Sequence, residues 1–120
     1  KFAWAELLRQ QDRRADAVKL YRELAADVRS KEGSAAAYYV LEDTFEKGDM
    51  DKTEKAIFAY SEREPQAYWL AKAFILLGDV YVRKGDNFQA RATYQSVADG
   101  YSPADDGIVD EAKERIAKLN

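Results

Sequence analysis

The sequence predicts an all-α fold, and three features point to it. Apolar residues recur at spacings of three and four almost throughout, which is the period of a helix face and not the alternation of a strand. Alanine is abundant while Val, Ile and Thr are scattered, so local propensity favours helix. Punctuation falls at regular intervals, at Asp12 to Arg14, Gly33-Ser34, Gly48-Asp49, Glu64-Pro65, Gly85-Asp86 and Ser102-Pro103. The chain has 120 residues, the size of one domain, and 47% hydrophobic against 34% charged residues supply a core and a solvated surface.

These breaks cut seven helices, over about 1–11, 14–31, 34–47, 50–63, 66–84, 87–100 and 104–119. The first carries Trp4, Ala5 and Leu8, and the second carries Ala17, Tyr21 and Leu24 as one stripe. The third follows Gly33-Ser34. The fourth starts behind Asp49, an N-cap residue type, and repeats the stripe as Thr53, Ile57 and Tyr60. The fifth follows Pro65 and carries Phe74, Leu77 and Tyr81. The sixth starts behind Asp86, with Gln89 three residues on in the manner of a capping box, and repeats the stripe as Ala90, Tyr94 and Val97. In the last, Ile108, Ala112, Ile116 and Leu119 share one face, opposite Asp110, Glu111, Lys113, Glu114 and Lys118.

The helices fall into repeats. Lys47-Gly48-Asp49 recurs as Lys84-Gly85-Asp86, 37 residues on, and Pro65 recurs as Pro103, 38 residues on. A period of that size means stacked supersecondary units. In the third unit Phe74, Leu77, Gly78, Tyr81, Ala90, Tyr94 and Pro103 follow a pattern that resembles the tetratricopeptide repeat, with the proline displaced by one residue. Gly78 and Ala90 are small where two helices would cross closely, and Leu77, Tyr81 and Tyr94 are large where neighbouring hairpins would meet. The second unit departs from the pattern at Leu41, Thr44 and Thr53. The first puts Trp4, Ala5 and Leu8 at the Leu-Gly and Tyr positions and reads as truncated at its start.

The resemblance implies a right-handed superhelical stack of antiparallel helix hairpins forming a single domain over 1–120. Repeat 1 would cover about 1–32, repeat 2 about 33–66, repeat 3 about 67–103, and a C-terminal capping helix about 104–120. The Arg29 to Gly33 stretch and the segment from Tyr68 to Asp99 are similar to tetratricopeptide proteins of the Gram-negative bacterial envelope. That likeness implies a periplasmic or envelope-associated piece of a longer scaffold.

Composition narrows the function. Without Cys or His the chain has no thiol nucleophile, no imidazole base and no imidazole metal ligand. Nineteen basic against 22 acidic residues, with a pI near 5.1, oppose nucleic-acid binding. The central uncharged run, Ala73 to Gly78, falls far short of the ~20 residues of a membrane span. Asp105, Asp106 and Asp110 around Gly107 lack the order of a calcium loop and suit a helix start, where N–H groups and the dipole favour negative charge. Glu62 and Glu64 are not set across any pocket the sequence defines, and Gly85-Asp86-Asn87 is no phosphate loop. Tyr38, Tyr39, Tyr68, Trp69, Phe74, Tyr81 and Tyr94 mostly stand at core spacing, with no basic surround for base stacking. The expectation is a non-enzyme with no catalytic, cofactor-binding or metal site.

What remains is a protein–protein interaction module, or else a spacer and C-terminal cap of a longer scaffold whose ligand binds elsewhere. The resemblance places a concave groove on the first helix of each hairpin, at Phe2, Glu6 and Arg9, then Tyr38, Glu42 and Phe45, then Ile75, Asp79 and Val82. Each triplet has i, i+4, i+7 spacing, so helical periodicity independently puts its members on one face. In register, Glu6, Glu42 and Asp79 form a carboxylate column beside the apolar column Phe2, Tyr38 and Ile75. Neighbouring carboxylates about 10 Å apart would repel by only about 0.4 kcal/mol in water. Such a column would suit a basic peptide whose apolar side chains rest on Tyr38, Phe45 and Ile75. The family's Lys and Asn pattern for an acidic C-terminus is absent. Phe2, Trp4 and Leu7 would form a partly exposed N-terminal edge open to self-association.

Overall fold

A computed structural model of the chain describes residues 1–10, 13–103 and 105–119, with Arg14 described by its backbone alone. Among these residues there are seven helices and no strand. They are α1 (Phe2–Gln10), α2 (Arg14–Leu24), α3 (Lys31–Glu46), α4 (Met50–Glu62), α5 (Ala67–Arg83), α6 (Asn87–Gly100) and α7 (Ile108–Ala117).

The turn that repeats in the sequence repeats in space. Gly48 and Gly85 take φ of 90° and 79°, the left-handed region in which a Cβ is costly, directly after the last turn of α3 and of α5. The aspartate that follows each glycine caps the next helix: Asp49 Oδ1 accepts from Lys52 N and Asp86 Oδ1 from Gln89 N, both at 3.0 Å.

Three boundaries differ from the sequence expectation. α2 stops at Leu24 instead of 31, and α3 begins at Lys31 instead of 34. Gly33-Ser34 is therefore not a break but lies inside the first turn of α3. Ser30 is the cap, its Oγ accepting from Gly33 N at 2.9 Å, and the segment before it folds back so that Val28 is buried. α7 likewise begins at Ile108, later than expected, and the expected start at 104 lies outside the described residues. Asp106 is bound from both sides, by Tyr101 Oη at 2.5 Å and by Ile108 N at 3.2 Å, which ties this one acid of the cluster to the helix start.

Consecutive helices pack as antiparallel pairs. Tyr60 Oη donates to Ser34 O at 2.8 Å, and these residues stand thirteen positions either side of Lys47. Tyr94 and Asp79 meet in the same way across the second turn, and Tyr21 meets Glu6 across α1 and α2. Along α3 and α5 the order is parallel: Tyr38 lies 5.6 Å from Trp69, and Phe45 lies 4.7 Å from the Arg83 guanidinium. α5 and α7 match in the same sense, through Lys72 with Glu111 and Asp79 with Arg115. The odd-numbered helices thus form one row, and α2, α4 and α6 each pack across two members of it.

A main core runs from α3 to α7, with Ile57, Val80, Tyr94 and Ile108 almost fully enclosed. A smaller cluster of Ala5, Leu8, Ala17, Tyr21 and Ala36 holds α1 and α2, and Tyr39 packs against both. None of the described helices is long and apolar enough to cross a membrane.

Candidate interaction surface

The row of odd-numbered helices carries all nine groove residues named from the sequence, but in unequal states. Tyr38, Phe45 and Ile75 are 6%, 7% and 3% exposed and belong to the core. The parallel neighbours cover them, since Trp69 and Lys72 of α5 lie against the Tyr38 ring and Arg83 lies over Phe45. A partner's apolar side chains would not find these three as an open ledge. Phe2, Glu6, Arg9, Glu42 and Asp79 are half-buried, and Val82 is 39% exposed. At the N-terminal edge Trp4 and Leu7 face solvent, while Phe2 tilts against Tyr21 at 6.1 Å between ring centroids.

Each carboxylate of the column receives a tyrosine hydroxyl. Tyr21 Oη donates to Glu6 at 3.0 Å, Tyr38 Oη to Glu42 at 3.4 Å, and Tyr94 Oη to Asp79. Tyr21 and Tyr94 hold the same repeat position. Ile57 occupies that position in the second unit and cannot donate, so the hydroxyl there comes from α3 itself. Burial pushes all three phenols up, and the carboxylates they bond reinforce the shift.

Two carboxylates also hold an arginine. Arg9 Nη2 lies 3.6 Å from Glu42, and the same guanidinium stacks 4.3 Å from the Tyr39 ring centroid. Arg115 reaches Asp79 through Nε at 3.1 Å and Nη2 at 3.4 Å, and Glu111 through Nη1 at 3.3 Å. Glu111 also accepts from Lys72 Nζ at 3.4 Å. Burial works against the charge of Arg9 and Arg115, yet Tyr39 and Glu42 for the former, and Asp79 and Glu111 for the latter, hold both above the ordinary value. The column is therefore a polar seam, closed by bonds within the chain, that fastens the α1–α2 and α5–α6 hairpins and the row neighbours α1–α3 and α5–α7.

Sequence reasoning named the carboxylates and missed their partners, although the period contains them. Stepping from Glu6 to Glu42 to Asp79 at 36 and 37 residues, one more step of 36 lands on Arg115 in α7. The column ends on a cation that serves its last acid.

Where α3, α5 and the end of α7 meet, a cavity of about 310 Å³ opens among Phe45, Asp79, Val82, Arg83, Arg115 and Lys118. Three of these come from the sequence-derived groove and three are cations. Among the described residues no carboxylate stands within ion-pair distance of Arg83. At the other end of the row, Tyr38, Tyr39, Tyr68 and Trp69 form an aromatic cluster with centroids 5.0–5.7 Å apart. Among the described residues no three carboxylates gather as a metal site would need.

No family model matches the chain, and neither a curated protein nor a solved structure does.

Proposed function

We propose that the chain is a protein–protein interaction module built as a tetratricopeptide-type stack of hairpins, taking a segment of a partner protein along the row α1, α3, α5 and α7. The repeated Lys-Gly-Asp turn and the parallel row support the repeat reading. The observation that carries the binding reading is the cavity between two successive row helices in which the exposed Val82 stands beside the half-buried Asp79 and the covered Phe45. Val82 offers an apolar contact, and Arg83 and Lys118 beside it are exposed. A basic partner would have to displace Arg9 from Glu42 or Arg115 from Asp79, so the apolar contact carries more of the affinity than the column does.

The second reading, a spacer and C-terminal cap within a longer scaffold, draws support from the closed seam, because a face whose carboxylates are bonded internally is stable with no ligand. A photo-crosslinking amino acid at Val82, compared with one at Phe88, separates the two. Phe88 is 84% exposed on α6, away from the row, and measures background. Discrete adducts from Val82 alone, lost on competition with unlabelled protein, support the module; adducts no stronger than those from Phe88 favour the spacer. Self-association through Trp4 and Leu7 belongs to the same proposal. It is tested by sedimentation of a Trp4→Ser, Leu7→Ser variant, which should be more monomeric than the parent chain.

A further inference from the structure

α2 ends at Leu24, and beyond it the chain turns back into the segment that buries Val28, so α2 and α4 share no extended contact. Between them lies a second cavity, of about 450 Å³. Its floor is Ala37, Val40 and Leu41 of α3, Ala59 and Tyr60 stand on the α4 side, and among the described residues Arg22 and Arg63 bring in the only charges of its lining. On α3 this floor lies roughly 110° around the helix from Tyr38, Glu42 and Phe45. The slot is therefore a different face from the seam and from the groove along the row.

Two properties set what fits there. Apart from the buried Tyr60, the apolar lining is small or branched side chains, which let another backbone approach closely and leave room for one or two large apolar side chains from outside. The charge is of one sign, two arginines and, among the described residues, no acid in the lining, on a chain whose net charge is −3. Arg63 Nη2 is held by a hydrogen bond to Ala25 O at 2.7 Å, which anchors one cation at the mouth. Among the described residues Arg22 has no carboxylate within ion-pair distance, so its charge faces solvent.

We infer that the slot between α2 and α4 docks an acidic amphipathic helix of a partner protein. An apolar ridge at i, i+3 or i+4 and i+7 would lie on the accessible Ala26, Val40, Ala56 and Ala59, above the buried Ala37 and Leu41, and flanking Glu or Asp side chains would meet Arg22 and Arg63. Charge complementarity selects this occupant over a basic helix of the same apolar pattern. The proposal does not rest on occupation of the row groove, and the two faces can be filled independently.

The test uses the whole chain, isotopically labelled, titrated with a synthetic amphipathic peptide of about 14 residues that carries Leu along its ridge and Glu on both flanks, and with its Lys-for-Glu counterpart. The Glu peptide should shift the amide signals of Ala25, Ala26, Ala56 and Ala59. Its affinity should fall about tenfold in Arg22→Glu and weaken as salt rises, and the Lys peptide should bind about tenfold more weakly than the Glu peptide. Ala59→Phe, which fills the slot without touching a charge, should abolish the shifts, and Val82→Glu on the row should leave them intact. Far-ultraviolet dichroism of each variant checks that it is folded. Equal binding of both peptides, shifts centred on Val82 and Arg83, or no shift at the four alanines with the Glu peptide would each overturn the inference.

Discussion

Replacing Gly33 with alanine should destabilise the fold by about 2–3 kcal/mol, even though alanine is the better helix former by about 1 kcal/mol. A Cβ at Gly33 would stand 2.5 Å from the Asp27 carbonyl carbon and closer still to its oxygen. Backbone atoms cannot rotate aside as a side chain can, so the 25–30 segment must lift from α3. Lifting it exposes Val28, now 4% exposed, at a cost of about 1.5–2 kcal/mol. It breaks the bond from Ser34 Oγ to Val28 O, 2.5 Å long, at about 1 kcal/mol. It also disturbs the Ser30 cap, worth about 1 kcal/mol. The gain in helix propensity offsets roughly one of these losses. Urea denaturation followed by far-ultraviolet dichroism measures the difference, and the melting temperature should fall by about 10 °C. Gly100→Ala is the control, since nothing lies within 4 Å of a Cβ there, and it should stay within about 0.5 kcal/mol of the parent chain. A Gly33→Ala protein as stable as the parent, with the same dependence on urea, would refute the reasoning.

Gly78→Ala puts a Cβ 2.5 Å from Cδ1 and 2.7 Å from Cζ of the buried Tyr94 ring, an overpacking that should cost about 1–3 kcal/mol. Adding Tyr94→Ala removes the clash, so a double-mutant cycle should show the pair less destabilised than the sum of the singles; strict additivity would mean the ring yields freely. Arg115→Met leaves Asp79 with only the Tyr94 hydroxyl and, because the arginine is 34% exposed, should cost about 1 kcal/mol in thermal melts, with unaltered stability showing the seam to be energetically idle. Burial, with bonded carboxylates in two cases, raises Tyr21, Tyr60 and Tyr94 well above the tyrosine range. Above about pH 10 the unfolded chain has therefore released phenolic protons that the folded chain keeps, and stability must fall as pH rises. Ultraviolet titration should show these phenolates only as helicity is lost, and their appearance in a fully helical protein would contradict the burial.

Helix class, helix number and the repeated turn were legible because their causes are local. A glycine in the left-handed region followed by a capping aspartate acts within four residues of chain, and it does so twice, at Gly48-Asp49 and Gly85-Asp86. The start of α3 was misplaced because a glycine looks the same in sequence whether it ends a helix or admits a neighbour. Gly33 is small for the Asp27 carbonyl, and Ser34 is buried as a junction for Val28, Gln66 and Tyr60. In the row, periodicity assigned each triplet to one face, but no period states how much of that face the next helix covers. Tyr38, Phe45 and Ile75 became core because α3, α5 and α7 lie side by side, and Val82, near the end of α5, stayed open. The carboxylate column was visible as composition in register. Whether those carboxylates faced a ligand or the chain itself depended on Tyr21, Tyr94 and Arg115, which stand 15 to 36 residues away and come within bonding distance only when the hairpins close and the row forms. Electrostatics acts over a few ångströms, so tertiary packing alone decided that Asp79 would be bonded to Tyr94 and Arg115.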